Sequence, residues 1–155
     1  MIGSGASAAA SFSLCRSAGL DVSALQAPWA ARGASSYFVC TVDHGAKRVD
    51  LVHQGASGGF AAMSAFMLAQ DGKAALFCAF PYKGGGASRH AFLSFVPPSL
   101  AGMARGRVSM QRSAVYAAFE GVVGDLQVDA LEGLQPEVVA AALAKLPGAK
   151  AIELE

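Results

Sequence analysis

The chain has 155 residues, 54% of them apolar and 15% charged, with a formal net charge of +1. The length suits one domain spanning residues 1–155, and no window of about 18 consecutive apolar, uncharged residues reads as a membrane-spanning helix. Three cysteines, Cys15, Cys40 and Cys78, cannot all pair, and their spacing matches no zinc or redox pattern, so they are expected to be reduced, mostly buried thiols of an intracellular protein.

The first twenty residues, MIGSGASAAASFSLCRSAGL, are rich in Ala and Ser and carry one Arg and no acid. They lack the basic start and continuous apolar core of a secretory signal, and Ile2 rather than Gly follows Met1, which excludes a myristoylation site. Ala8, Phe12 and Cys15 recur at helical spacing and predict a first helix. SSYFVCTVD (35–43) and KRVDLVHQ (47–54) carry β-branched and aromatic residues on either side of turn chemistry, which predicts a hairpin. GGFAAMSAFMLAQ predicts a helix with Phe60, Met63, Met67 and Leu68 on one face. AALFCAFPY and HAFLSFVP read as two buried strands around the turn KGGGAS. A long helix is expected from about Ser99 to Glu120, then a short strand in DLQVDAL, a helix in PEVVAAALAKL with Pro136 at its first position, and a last strand in KAIEL. The sum is a mixed α/β (α+β) fold, a sheet of four to six strands with helices on its faces.

Charge is unevenly spread. Between Lys73 and Arg112 stand six basic residues and no acid, whereas from Ser113 onward seven acids face Lys145 and Lys150. A short basic segment suits an acidic protein surface or lipid headgroups better than a nucleic-acid backbone, and no interleaving of aromatic and basic residues accompanies it. GASGG and KGGGAS lack the Lys-Ser/Thr that a phosphate loop requires, and they do not fit a dinucleotide fingerprint. His44, His53 and His90 have no metal partner at ligand spacing, and no nucleophile elbow or acid pair stands out. These residues therefore call for no catalytic site, cofactor or metal, and the chain is not expected to be an enzyme.

At 100° per residue, Arg105, Ser109, Arg112 and Tyr116 share one side of the long helix. Met103, Met110, Ala114 and Ala117 gather on another and are expected to pack on the sheet. Arg107 then points towards the apolar side, so it must snorkel or the helix must bend near Gly106. As exposed charges, Arg105 and Arg112 are expected to contribute little to stability.

The run FLSFVPPSLAGMARGRVSMQRSAVYAAFEGVVGDLQVD (92–129) resembles, without a gap, the segment of the actin-depolymerising factor/cofilin homology (ADF-H) family that joins its central strand to the actin-binding helix and the strand beyond. LAKLPGAKAIELE is similar to that family's carboxy-terminal end and IGSG to its start, and ARGRVSMQRSAV is also similar to coactosin, a relative of the same fold. The resemblance covers nearly the whole chain in order and is strongest from Phe77 to Asp129. It implies a five- to six-stranded mixed sheet flanked by helices on both faces, in a cytoplasmic, cytoskeletal monomer that binds monomeric and/or filamentous actin and modulates filament turnover by depolymerisation and weak severing. Arg105 and Arg112 fall on the family's basic helix positions, with Ser109 between them, and Arg107 on a basic position of the coactosin pattern only. Arg89 and His90 stand where relatives carry filament-side lysines, and Ser4 falls on the family's regulatory phosphorylation serine, where a phosphate would oppose an acidic partner. Phe95 replaces the usual Trp before the proline, and Tyr116, Ala117 and Ala118 replace a run of lysines, which implies only weak phosphoinositide binding. Two other readings are a coactosin-like filament binder without severing activity and a degenerate interaction module that no longer binds actin.

Overall fold

The computed structural model describes residues 20–43, 45–70, 74–98, 100, 102–130, 134–146 and 152–154. The expected first helix around Ala8–Cys15 lies outside them, as do His44 and Cys15.

The middle of the chain sets the architecture. β3 (Leu76–Gly84) and β4 (Ala87–Phe95) are so apolar that every residue from Leu76 to Tyr82 and from His90 to Phe95 is buried. A strand alternates its side chains between two faces, so a continuously apolar strand must be covered on both. Phe77, Ala79 and Phe92 point into one core, whereas Leu76, Cys78, Phe80, Ala91, Leu93 and Phe95 point into another. Each fully buried large side chain contributes about 1.5–3 kcal/mol relative to exposure.

These two strands pair antiparallel through a two-residue turn, Gly85–Gly86, whose φ values of 63° and 86° only glycine adopts without strain. β1 (Tyr37–Asp43) pairs with the first half of β3 and with β2 (Arg48–Gly55), which forms one edge; β6 (Ile152–Leu154) pairs with the second half of β3. β5 (Val123–Val128) lies parallel to β4 at the other edge, and all remaining pairs are antiparallel. The six-stranded mixed sheet thus meets the upper end of the expected range. In the hairpin turn, Asp43 Oδ1 accepts the Ala46 amide at 3.0 Å, the backbone role expected of an Asp there.

Helices α1 (Ser23–Ala30) and α3 (Gly102–Ala118) cover one face; α2 (Gly59–Leu68) and α4 (Pro136–Ala144) cover the other. Pro136 takes the first turn of α4, where its missing N–H costs nothing. In α2 the expected face is nearly right: Phe60, Met63 and Met67 are buried, but Leu68 is 46% exposed, because it sits one residue and so 100° past Met67. No sequence signal predicted α1, since Pro28 inside it reads as a breaker. Tertiary contacts override that. Leu25 and Trp29, four residues apart, are both buried against the sheet. The Trp29 indole N–H also donates to the Glu120 carbonyl at 2.8 Å, and its ring meets Phe38, His90 and Phe119 edge-on, with centroids 5.0–5.6 Å away.

Cys40 and Cys78 are buried thiols without a disulfide, and burial pushes both well above the ordinary thiol range. Stability that rests on keeping them neutral is fully present below the unfolded thiol value of about 8.5 and is lost as pH rises through it, because the unfolded chain ionises first. Burial shifts Tyr82 upward as well, so it acts in the same direction. The urea midpoint is therefore expected to fall between about pH 8 and about pH 10, with a shallower fall in a Cys40→Val variant. Equal slopes in the two proteins would contradict this assignment.

Candidate functional site

The side of α3 that touches the sheet is built from Val108, Val115 and Phe119, spaced 7 and 4, with Ala114 beside them. That seating corrects the expected orientation of the helix in part: Ala114 packs on the sheet as expected, but the methionines do not. Met103 and Met110, expected to pack on the sheet, are 75% and 70% exposed. β-Branched and aromatic side chains fill the flat sheet surface more completely than two unbranched methionines, so Val108, Val115 and Phe119 win the inward side.

The side shared by Arg105, Ser109, Arg112 and Tyr116 exists, but three of its members turn back onto the protein. Arg105 Nη1 donates to the Pro97 carbonyl at 2.8 Å. Arg112 grips Asp125 on β5 through both carboxylate oxygens, at 3.3 and 2.5 Å. The Tyr116 ring stands edge-on to Phe92 with centroids 5.3 Å apart. Ser109 is exposed. Arg107 neither snorkels nor marks a break in the helix; it is exposed beside the outward-facing strip Met103, Gly106, Met110 and Ser113. A Cβ added at Gly106 would meet nothing within 4 Å, so a partner's surface can approach the helix backbone there. The outward side of α3 therefore combines two flexible thioethers, one exposed guanidinium and a gap between them. Methionine adapts to irregular partner surfaces, and exposed apolar side chains rimmed by polar ones mark interaction sites.

The second expected contact region divides. Arg89 is exposed at the start of β4. His90 is only 8% exposed, and its Nε2 lies 2.8 Å from the Ser36 carbonyl. The expectation that it contacts a partner is corrected: alternation along β4 sends neighbouring side chains to opposite faces, so His90 goes under Trp29 while Arg89 faces out. An open groove of about 660 Å³ runs past this end of β4, lined by Arg32, Ser88, Arg89, His90, Gly121 and Val123 among others. Sequence reasoning passed over Arg32, because the helix that ends beside it was not foreseen. Ser4 lies outside the described residues. Among those residues no cluster of His, Cys, Asp and Glu could hold a metal, and no helix is long and apolar enough to cross a membrane.

Residues 22–144 match the family model described as cofilin/tropomyosin-type actin-binding protein, and the chain belongs to that family. Among solved structures, it resembles human coactosin-like protein at 15% identity and a TM-score of 0.69, over 85% of this chain and 93% of that one. Coactosin from Entamoeba histolytica gives 19% identity and a TM-score of 0.67, over 80% and 94% of the two chains. Streptomyces griseoflavus cofilin gives 12% and 0.63, over 78% and 94%. No curated protein sequence matches the chain. The family is described as actin-binding, and the expected α/β fold is the one these structures share.

The pairing of Arg112 with Asp125 fixes how α3 lies on β5, and it makes Arg112 a structural residue whatever else it does. The pair is 29% and 37% exposed, so its attraction is screened and replacing Arg112 with Met is expected to cost less than about 1 kcal/mol. Arg112→Glu sets two carboxylates against each other and is expected to cost about 1–2 kcal/mol in urea unfolding. Equal midpoints for the two variants would show that the ion pair does not form.

Proposed function

We propose that this chain binds actin through the outward side of α3, with Met103, Met110 and Arg107 as the leading contacts and Ser109 at the rim. The observation that carries this reading is the exposure of two methionines, at 75% and 70%, on the helix that follows the central strand. Large apolar groups left in water on a regular helix gain most from a partner that covers them. Binding is stoichiometric and without catalysis. It alters filament turnover by favouring one subunit geometry over another. Monomeric actin, the filament or both are its targets, and Arg89 is the filament-side contact. Arg105 and Arg112 act mainly by holding the helix at its angle. With no lysine run in the second half of α3, phosphoinositide binding is weak.

A coactosin-like role, binding filaments without severing them, is the second reading, and Arg107 favours it. That residue matches a basic position of the coactosin pattern, and it is the arginine of α3 for which neither a hydrogen bond nor an ion pair is seen among the described residues.

The triple variant Met103→Ala, Arg107→Glu, Met110→Ala is expected to weaken actin binding about tenfold or more, as loss of anchor residues does at an interface. Its thermal unfolding should match the parent, because all three side chains are exposed. Pelleting with filaments and binding to monomers, run in parallel, separate the two readings. A triple variant that binds as the parent does would sink the site, and a parent that binds neither form of actin would sink the function. Because one guanidinium and two apolar anchors lead the contact, the association rate should fall with ionic strength as the Debye length drops from about 10 Å at 0.1 M to about 3 Å at 1 M, while the dissociation rate stays nearly constant. An unchanged association rate would assign the contact to the methionines alone.

A further inference from the structure

We infer that Met103 and Met110 are a paired oxidation site, at which a peroxide converts both thioethers to sulfoxides and so weakens binding through α3. The inference rests on the reading of that surface as the actin contact, and it adds the chemistry that regulates it.

Burial divides the methionines into two chemical classes. Met103 and Met110 are 75% and 70% exposed, whereas Met63 and Met67 are 0% and 1% exposed in the core on the other face of the sheet. The Met67 sulfur is engaged besides, because the Cys78 thiol donates to it at 3.5 Å. Oxidation requires the peroxide oxygen to reach the sulfur, so among the described methionines the α3 pair reacts while the chain stays folded. Cys40 and Cys78 do not compete. Both thiols are buried and held neutral, and the thiolate is the form that reacts. The spacing of seven residues sets the two thioethers on one side of the helix, about 10 Å apart along its axis. Gly106 stands between them, where an added Cβ would meet nothing within 4 Å, so the surface is open to a small oxidant and to an enzyme that reverses its action.

The step is a two-electron oxygen transfer. The sulfur lone pair attacks one oxygen of hydrogen peroxide, the O–O bond breaks, and after proton transfer the products are the sulfoxide and water. Sulfur is oxidised and peroxide is reduced. Two changes follow at the surface. Each apolar anchor becomes a polar group that an incoming partner has to desolvate. The new oxygen is also a hydrogen-bond acceptor on the same side as Arg107, which lies four residues after Met103 and three before Met110, the neighbour spacings of a helix. A guanidinium that donates to a sulfoxide of its own helix is withdrawn from the partner, so the apolar and the charged parts of the contact weaken together. The fold is spared, because neither methionine belongs to the core under α3. A thiol-dependent methionine sulfoxide reductase reverses the step, releasing the oxygen as water while two thiols join as a disulfide.

In the test, the full chain is treated with hydrogen peroxide, catalase removes the peroxide before actin is added, and peptide mass spectrometry locates the sulfoxides. Met103 and Met110 are expected to oxidise well before Met63 and Met67, with the thermal unfolding midpoint unchanged. The oxidised chain should bind actin about tenfold more weakly. Treatment with the two epimer-specific reductases should restore the affinity. The double variant Met103→Leu, Met110→Leu has no sulfur on α3 but keeps Met1 and Cys15, which lie outside the described residues. Its affinity, whatever the level, should be the same before and after peroxide. Oxidation of Met63 and Met67 as fast as of the α3 pair, an oxidised chain that binds as its untreated parent does, or an equal loss of affinity in the double variant would each overturn the inference. An untreated parent that binds no actin would sink the reading of α3 and the switch with it, whereas selective oxidation without loss of binding would sink the switch alone.

Discussion

Trp29 is the contact on which the rest of this structure depends. Its ring fills the space between the sheet and two helices, and its N–H ties the short helix α1 to the turn that ends α3. A buried indole needs a partner for its one donor, and here that partner is the backbone of Glu120, 91 residues away. The bond therefore joins the first described helix to the last turn of the helix that bears the candidate site. The same ring carries Arg32 on its face and His90 at its edge, so the floor of the groove and the seat of α3 are fixed by one side chain.

Around that anchor, charge is handled in two ways. Arg105 and Arg112 are used within the molecule, one on a carbonyl and the other on a carboxylate, and both constrain the angle of α3. Arg107, Arg89 and Arg32 are exposed, and a Cβ added at Gly106, next to Arg107, would meet nothing within 4 Å. A chain of net charge +1 can thus offer positive patches to partners without being basic as a whole.

The strands were readable because β3 and β4 are apolar without interruption and glycine marks the turn between them. α2 and α4 were readable from their periodicity and from Pro136. α1 was not, because a proline in an eight-residue segment outweighs two apolar residues four apart unless the indole's tertiary contacts are known. The rotation of α3 is not legible for a different reason. A helix with apolar residues on two sides gives two plausible inward stripes, and only side-chain shape favours Val108, Val115 and Phe119 over Met103 and Met110. The arginines follow from that rotation of the helix: Arg107 comes out and the other two come in. For His90, the alternation along β4 was present in the sequence, and applying it would have separated it from Arg89.

α3 is also the connection between β4 and β5, the parallel pair of the sheet. Parallel neighbours cannot be joined by a tight turn; the chain has to travel back across the face of the sheet, and here it does so as the helix that bears the candidate site. The candidate surface on α3 and the edge strand are thereby coupled through the crossover. Opening β5 releases the Arg112 clasp at one end of the crossover and the Val96–Val128 backbone bond of 2.9 Å at the other. The amides of α3 should then exchange with solvent in step with those of β5, and a folding chain should acquire its binding surface only when that edge closes.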